Sequence, residues 1–276
     1  MSSQEDAMPA LADTRHPTPD TRHPTPMIRG IYTAAAGLAT ATLRLGVVSN
    51  NVANATTPGY KQDRLPDEVG KALDLQKYAV DAQGRPIGTI NLGPKVGVSE
   101  LDLASGPIQE TANPLDLALA GTGFFTVQGP NGQTRYTRDG GFLKDADGSL
   151  RNRNGMAVLD DANQPITLPE GDVAVAADGS ILVNGAQVAR LQVVDFAAGQ
   201  QLNKVGNGQF EAVNGAQPQP ANGVQVYQGY LEGSNVDMTE TMVATMNLVR
   251  AYEANQRLLQ IQDETLKSAV NEVGKA

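Results

Sequence analysis

Two long stretches of helical periodicity, one near each end of the chain, place the strongest constraint on what this sequence can fold into. The first predicts a helix over 28–54, with one stripe formed at alternating spacings of three and four by Ile28, Ile31, Ala35, Leu38, Thr42, Leu45, Ser49 and Val52. The second predicts a helix from residue 238 onward, with its stripe at Met238, Met242, Thr245, Val249, Tyr252, Gln256, Leu259, Asp263, Leu266, Val270 and Val273. At 1.5 Å per residue these helices would be about 40 and 55 Å long, and the second is too long to bury its stripe against a small domain of its own. The polar residues within the stripes favour packing among several neighbouring helices over an isolated two-stranded coiled coil.

The sequence also predicts where these helices end and begin. The run Thr56-Thr57-Pro58-Gly59 should stop the first helix, because proline cannot continue the hydrogen-bond ladder and glycine accepts unusual dihedral angles. Asp237 followed three residues later by Glu240 is a capping-box pattern for the start of the second helix, and Ser234 offers an alternative cap one turn earlier.

The middle of the chain, from Val96 to Tyr230, has no helical period. It is divided by dipeptides that suit turns with positive φ: Asn131-Gly132, Asp139-Gly140, Asp147-Gly148, Asn154-Gly155, Asp178-Gly179, Asn184-Gly185 and Asn222-Gly223. Short apolar runs such as Phe124–Gln128 and Val188–Phe196 lie between them. This pattern predicts an all-β module. For the preceding segment the sequence predicts a short helix over Val69–Val80 and a loop over Gly84–Pro94.

The predicted fold class is therefore α+β. A hairpin-rich, sandwich- or barrel-like β module is inserted between long N- and C-terminal helices that form a coiled-coil-like core domain. The expected division is a helical core domain of residues 27–60 with 234–276, a connecting segment 61–95, and a β-rich domain 96–233. Residues 1–26 contain an exact tandem heptapeptide, Asp13–Pro19 and Asp20–Pro26, and are predicted to be a disordered tail or a mis-set start.

Composition excludes several functions. The net charge of −9 and pI near 4.7 disfavour binding to nucleic acid or anionic membranes. With no cysteine there is no disulfide or thiolate nucleophile, and His16 and His23, both in the tail, could not complete a metal site. Aromatic residues are 4% and tryptophan is absent, which predicts an aliphatic core.

A membrane span and a cleaved signal are not expected either. The uncharged run Gly30–Leu43 is shorter than the roughly 18 apolar residues that a span requires, and it contains three threonines. No convincing small-residue cleavage site follows it.

No catalytic constellation stands out in this sequence. Gly121-Thr122-Gly123 lacks the last glycine of a dinucleotide fingerprint and precedes a strand, so we interpret it as a tight turn. Asp145-Ala146-Asp147-Gly148 lacks the spacing of a calcium loop, because Met156 occupies the twelfth position, and a hairpin turn is favoured. The carboxylates show no paired spacing, so we predict a protein that is not an enzyme and needs no cofactor.

Three stretches of the chain resemble the flagellar basal-body rod and hook family, particularly its rod proteins. They are SNNVANATTPGYK at Ser49–Lys61, the region Gly106–Gly140 with NPLDLALAGTGFFTV and the overlapping RYTRDGGF at Arg135–Phe142, and YQGYLEGSNVD at Tyr227–Asp237 followed by Met242–Leu266. Together they cover nearly the whole chain after the tail. The resemblance implies a structural subunit of the basal-body rod that polymerises into the axial tube. It also implies export by the flagellar type III apparatus without a cleaved signal, and a helical core with the β module outside.

The expected partners are therefore further copies of this chain, other rod and hook axial proteins and the export apparatus, with neither nucleic acid nor membrane insertion. Because Asn50, Asn51 and Asn54 lie near a helix end, their amides can satisfy helix carbonyls or bind a neighbouring subunit. The expected assembly residues are these three amides with the apolar residues Ile31, Leu38, Leu45, Val52, Met242, Val249, Tyr252, Leu259 and Leu266. The alternative is a secreted binding or adhesin module that uses the β region without axial assembly.

Overall fold

A computed structural model of the chain describes residues 26–69, 72–78, 84–91, 94–97, 99–196, 202–213, 215–221 and 223–273. The predictions made for residues 1–25, including those for His16 and His23, lie outside the described residues. Two long helices flank a strand-rich central region, which confirms the α+β class.

The helices are α1 (Pro26–Ala53) and α2 (Met238–Val273), close to the predicted bounds. A turn over 54–59 follows α1, where proline and glycine were expected to stop it. At the start of α2 the Asp237 carboxylate accepts hydrogen bonds from the backbone amides of Thr239 and Glu240, at 2.8 and 3.0 Å. The predicted cap is therefore confirmed, since it satisfies two of the amides that a helix start leaves unpaired.

The structure describes twenty-two strands, all paired antiparallel. In chain order they are β1 (Asp63–Arg64), β2 (Asp67–Val69), β3 (Ala72–Tyr78), β4 (Gly84–Asn91), β5 (Pro94–Val96), β6 (Glu100–Leu101), β7 (Ile108–Glu110), β8 (Leu117–Ala120), β9 (Phe124–Gln128), β10 (Thr134–Thr137), β11 (Phe142–Lys144), β12 (Leu150–Asn152), β13 (Ala157–Val158), β14 (Val173–Val175), β15 (Ser180–Val183), β16 (Ala186–Arg190), β17 (Val193–Asp195), β18 (Leu202–Gly206), β19 (Gln209–Ala212), β20 (Gln219–Pro220), β21 (Gln225–Gln228) and β22 (Tyr230–Glu232).

The main sheet has nine strands. Seven run in the order β11-β12-β13-β9-β10-β19-β18, and β17 pairs with both β9 and β20. A three-stranded sheet, β14-β15-β16, lies beside it, and five two-stranded pairs complete the region. Two of these pairs, β8 with β21 and β7 with β22, join strands more than a hundred residues apart in sequence, so the end of the region returns to its beginning.

The nine-stranded sheet carries apolar side chains on both faces. Phe124 and Phe125 follow each other in β9 and therefore face opposite sides. Phe125 packs in the larger cluster, with its ring centroid 5.1 Å from that of Phe142, and Phe124 packs in the smaller one, 5.4 Å from Phe210. The prediction of an aliphatic core is confirmed for the larger cluster, where Phe125 and Phe142 are the two aromatic members among fourteen described buried residues. It is wrong for the smaller cluster, where the buried residues are Phe124, Tyr136, Phe210 and one valine.

The segment before this region differs from its prediction. Instead of a helix over Val69–Val80 and a loop over Gly84–Pro94, β3 and β4 form a hairpin in register from Ala72↔Asn91 to Tyr78↔Gly84. Local spacing was misleading here, because a hairpin is stabilised by its partner strand and a period of 3.6 in a short segment carries little weight.

Most of the predicted glycine turns are confirmed. Gly121 and Gly123 have φ values of 113° and 146°, and they form a tight turn directly before β9. Gly140 differs, since its φ is not positive. It is needed for close approach instead, because a Cβ there would lie 1.7 Å from the carbonyl oxygen of Leu117.

The uncharged run Gly30–Leu43, which is predicted to be too short and too polar for a membrane span, is only part of the first helix. Gly30–Ala53 is a helix of 24 residues with a mean hydropathy of 1.4, which is long and apolar enough to cross a membrane. The sequence estimate stopped at Arg44, whereas a span tolerates one charge. The buried core helix of a soluble protein and an N-terminal signal can have the same length and hydropathy. In this structure α1 packs along α2, but only 11% of its apolar stretch is buried.

We expect limited proteolysis of the purified protein to leave a resistant fragment of about Val96–Tyr230. The fragment contains the buried clusters, whereas much of α1 and α2 is exposed and long helices without tertiary partners are marginal in water. Mass spectrometry of the digest measures the fragment ends. Rapid cleavage inside the sheets, with both helices spared, would contradict this expectation.

Candidate functional site

The chain leaves α1 and returns to α2 at the same point, which we call the junction. Gly59 lies in the left-handed region with φ of 65°, and its amide donates a 2.7 Å hydrogen bond to the carbonyl of Glu232. A Cβ on Gly59 would lie 2.4 Å from the backbone carbon of Arg138, so only glycine fits. The outgoing and returning segments are thereby held against each other and against the strand-rich region.

Three buried ionised side chains form the centre of the junction. Lys61, Glu232 and Arg138 are 0, 1 and 3% exposed. The Glu232 carboxylate accepts from Lys61 Nζ at 2.6 Å through Oε1 and from Arg138 Nη1 at 2.9 Å through Oε2. We call these residues the junction triad.

Backbone groups complete the coordination of the junction triad. The Gly106 amide donates to Glu232 Oε1 at 2.9 Å, Lys61 Nζ donates to the carbonyl of Ala104 at 2.7 Å, and Arg138 Nη2 donates to that of Gly121 at 2.6 Å. Burial lowers the pKa of Lys61, while the hydrogen bond and charge of Glu232 act in the opposite direction. The negative charge of Glu232 therefore offsets the cost of burying both cations.

The predicted asparagines lie next to the junction at the end of α1. Asn51 is buried; its Oδ1 accepts from the Asp63 amide at 3.1 Å, and its Nδ2 donates to the Asp63 carbonyl at 2.9 Å. The Tyr60 hydroxyl lies 2.8 Å from Asn50 Oδ1 and 2.9 Å from Asn51 Oδ1. Asn54 Nδ2 donates to the Asn50 carbonyl at 2.9 Å, so it satisfies a carbonyl of its own helix end.

Burial, with the charge of Asp63 as a second cause, raises the pKa of Tyr60 from 10.0 to about 12. The folded state thus holds this proton more tightly than the unfolded state, so the group stabilises the fold below pH 10 and this contribution is lost as the pH rises through about 12. We expect Tyr60→Phe to lose less free energy of unfolding than the wild type between pH 10 and 12, as measured by urea denaturation. Tyr32→Phe, at an exposed tyrosine of α1, is the control and should follow the wild type. Parallel curves for Tyr60→Phe and wild type would refute this role.

Asn235 ties the two crossing segments together just before α2. Its Oδ1 accepts from the Gln62 amide at 2.8 Å, and its Nδ2 donates to the carbonyls of Asp102 and Ala104 at 2.9 and 3.2 Å. Lys204 of β18 reaches the same area, with Nζ 2.8 Å from an Asp63 carboxylate oxygen and 4.1 Å from the Tyr60 ring centroid.

Beyond the junction, α1 and α2 pack antiparallel through small residues of α1. Ala34 and Ala41 are buried. A Cβ at Gly30 would lie 1.9 Å from Gln262 Nε2, and one at Gly37 would lie 3.0 Å from the Asn255 side chain. This contact face lies one residue before the predicted stripe. The predicted apolar residues of α1 are half-buried beside it: Ile31, Leu38, Leu45 and Val52.

The predicted residues of α2 divide into two groups. Tyr252, Leu259 and Leu266 are half-buried on the side that carries Asn255 and Gln262, whereas Met242 and Val249 are exposed. The structure therefore brings only part of the predicted set into the intramolecular helix pair.

Large apolar side chains remain uncovered on both helices. Tyr32 on α1 is 73% exposed, and Val243 and Ile261 on α2 are 48 and 59% exposed. Others with more than a third of their surface in solvent are Leu43, Met242, Met246, Val249, Leu258 and Val270. Such a concentration along two helices is typical of a surface that another protein covers.

Sequence reasoning missed the junction triad, although a signal was present. Each member lies in a different stretch on which the family resemblance rests: Lys61 at the end of the first, Arg138 in the second and Glu232 in the third. Lys, Arg and Glu are almost never fully buried unless they are paired, but neighbouring charges such as Asp63 and Asp139 hide which of them are. Among the described residues, no group of three or more acidic or histidine side chains could hold a metal ion.

A helix pair with uncovered apolar side chains, fixed to a strand-rich body by a buried ionic junction, defines a subunit of a larger protein assembly. Comparison with known families agrees with this class. Residues 31–61 match the family model described as flagella basal body rod protein, 118–183 the flagellar hook protein FlgE/F/G D1 domain, and 227–272 the flagellar basal body rod FlgEFG protein C-terminal. Each match contains one member of the junction triad.

Curated relatives extend the similarity over most of the chain. The flagellar basal-body rod protein FlgF of Caulobacter vibrioides is 32% identical over 247 residues, covering 89% of this chain and 98% of the relative. FlgG of Agrobacterium fabrum is 31% identical, covering 84 and 94%, and FlgG of Bacillus subtilis is 29% identical, covering 87 and 97%. The chain belongs to the flagellar basal-body rod protein family.

Proposed function

We propose that this chain is a structural subunit of the flagellar basal-body rod and polymerises into the axial tube that links the basal body to the hook. The observation that carries this proposal is the set of uncovered apolar side chains along α1 and α2. On a single chain these groups are exposed to water, and burying them between subunits is favourable by about 25 cal/mol per Å². Contacts between two different faces of one chain generate a ring if the rotation between subunits closes and a helical assembly if it does not, and the proposed tube is the second case.

In this assembly, residues 27–60 and 234–276 form the helical core domain and residues 96–233 form the β-rich domain. Residues 61–95 are the connecting segment between them. The helices pack among those of neighbouring subunits in a coiled-coil-like arrangement, and the β-rich, sandwich- or barrel-like domain faces outward.

Among the apolar residues predicted from the sequence, Met242 and Val249 are exposed and available for contacts between subunits. Tyr252, Leu259 and Leu266 lie on the side of α2 that faces α1. Of the asparagines, Asn51 is buried and bonded to Asp63 within the chain, which leaves the exposed Asn50 as the amide most accessible to a neighbour. Because α1 and α2 use only part of the predicted residues against each other, the rest are free for neighbours.

The partners that follow are further copies of this chain, other axial proteins of the rod and hook, and the flagellar type III export apparatus. The chain reaches the basal body without a cleaved signal peptide, acts without catalysis or cofactor, and neither inserts into the membrane nor binds nucleic acid. The net charge of −9 supports the last of these points, since nucleic acid would repel it.

Deleting the gene should give cells whose basal bodies lack a complete rod, and therefore lack hooks and filaments. Expression of the full chain should restore motility, and so should a chain that lacks residues 2–26, because the tandem repeat has no apolar pattern with which to join a core. Electron microscopy of isolated basal bodies and motility in soft agar are the measurements. Complete rods in the deletion strain would overturn the proposed function, and failure of the shortened chain alone would show that the repeat is needed.

A further inference from the structure

Burying the three ionised side chains of the junction triad carries a large desolvation free energy. Two cations share one carboxylate, so the buried group carries one net positive charge, and Arg138 Nε has no hydrogen-bond partner among the described atoms. Removing ions from water costs so much that well-packed apolar residues of similar volume are often equally stable or more so. Stability alone therefore does not account for this choice of residues.

We propose that the triad sets the direction in which the helix pair leaves the strand-rich region, with Glu232 as the positioning residue. Its three members come from three parts of the molecule. Lys61 lies in the segment that leaves α1, Glu232 ends β22 shortly before α2, and Arg138 directly follows β10 of the nine-stranded sheet. One carboxylate thus connects both crossing segments to the sheet.

Hydrogen bonds make this connection directional. The Glu232 carboxylate accepts from Lys61, Arg138 and the Gly106 amide, all within 2.9 Å. Arg138 is itself fixed, since it also donates to the Gly121 carbonyl and its guanidinium carbon lies 5.5 Å from the centroid of the Phe124 ring. If the crossing segments turned relative to the sheet, a buried charge would lose its partner. Apolar contacts, which are not directional, would impose no such restriction.

Other links at the junction are less able to set this direction. The Lys204–Asp63 pair also joins the crossing to the sheet, but both side chains are about a quarter exposed, and ion pairs that water reaches contribute little. Asn235 binds the crossing segments to residues 102–104, which are not part of the nine-stranded sheet.

The link to assembly rests on the proposed function, because identical subunits in a tube need the same angle between helices and body. The positioning role itself concerns the single chain and is tested on the purified full-length protein. The sequence has no cysteine, so cysteines introduced at Asn247 on α2 and Ala146 in the turn between β11 and β12 accept nitroxide labels at two defined places. Double electron–electron resonance then measures the distribution of distances between the labels.

The decisive variant replaces the triad by apolar residues: Lys61→Met, Arg138→Met and Glu232→Leu. We expect its melting temperature to stay within about 5 °C of the wild type, while the single narrow distance distribution of the wild type broadens or splits. The control, Lys267→Met with Asp263→Leu, removes an exposed ion pair of α2 and should keep the narrow distribution. If the triple variant does not fold, Lys61→Met with Glu232→Gln, which keeps an acceptor for Arg138, replaces it and should broaden the distribution in the same way.

An unchanged narrow distribution in the folded triad variant would overturn the positioning role, whatever its rods look like. A broadened distribution supports the role. If rods of normal shape are built nonetheless, the positioning role stands, and it is the proposed need for one angle in the assembly that fails.

Discussion

Replacing Val243 and Ile261 together by aspartate should yield a folded, soluble protein that cannot complete a rod. The two residues stand about five turns apart on one line of α2, and each has about half its surface in water, so the single chain loses little. In an assembled tube the same positions would bury two uncompensated carboxylates, at roughly 2–5 kcal/mol each. Cells should therefore lack hooks and filaments, as observed by motility assays and electron microscopy, while thermal unfolding of the purified variant remains close to wild type.

A matched control comes from the neighbouring line of the same helix. Asn247→Asp with Thr265→Asp adds the same two charges at the same spacing, but at exposed polar positions, and should impair assembly much less. The sequence stripe alone would suggest Val249 and Leu259 for this test, but Leu259 is half-buried on the side of α2 that packs on α1. Full-length flagella in the Val243→Asp, Ile261→Asp strain would show that this face of α2 is not a contact between subunits.

Glu232→Ala should produce the largest loss of stability of any single substitution discussed for this protein. It leaves Lys61 and Arg138 buried without a counter-charge, which costs about 3–5 kcal/mol. For a chain of this size the melting temperature should fall by roughly 6–20 °C, as measured by circular dichroism or calorimetry. Glu232→Ala lowers the melting temperature because it leaves two buried cations without a counter-charge. The triple apolar variant removes the cations as well, so its nearly normal stability is consistent with this fall.

Asp263→Ala provides the comparison for that experiment. Asp263 pairs with Lys267, and the two side chains are 63 and 70% exposed, so its loss should hardly change the melting temperature. Equal shifts for the two variants would mean that the junction triad does not contribute more than a surface ion pair.

The parts of the fold that depend on neighbouring residues were predictable from the sequence. Asp237 caps α2 because its carboxylate reaches the unpaired amides of Thr239 and Glu240, two and three residues later. This contact is local and does not depend on the rest of the fold. The turn before β9 follows from Gly121 and Gly123 for the same reason. By contrast, the β3–β4 hairpin was predicted as helix and loop, because strand pairing depends on a partner that local periodicity does not reveal.

The candidate site was only partly predictable. The amides at the end of α1 were singled out from the sequence, and within the chain Asn51 forms hydrogen bonds with Asp63 of the segment that leaves α1. Their predicted role in contacts between subunits stays a prediction. The contact face of α1, however, lies one residue from the predicted stripe, because Gly30 and Gly37 make room for the side chains of α2 where larger apolar residues would not fit. The junction triad joins residues 61, 138 and 232, and no rule of spacing connects positions so far apart.

The junction also has a consequence for how proteins of this design can vary in size. Because the Gly59 amide bonds directly to the Glu232 carbonyl, the strand-rich region begins and ends at one point, like an insertion spliced into a continuous helical hairpin. Lengthening or shortening such an insertion changes neither the separation of its two ends nor the pairing of α1 with α2, and the entropic cost of a longer excursion grows only slowly with its length. Strand-rich bodies of very different bulk are therefore compatible with a single helical framework.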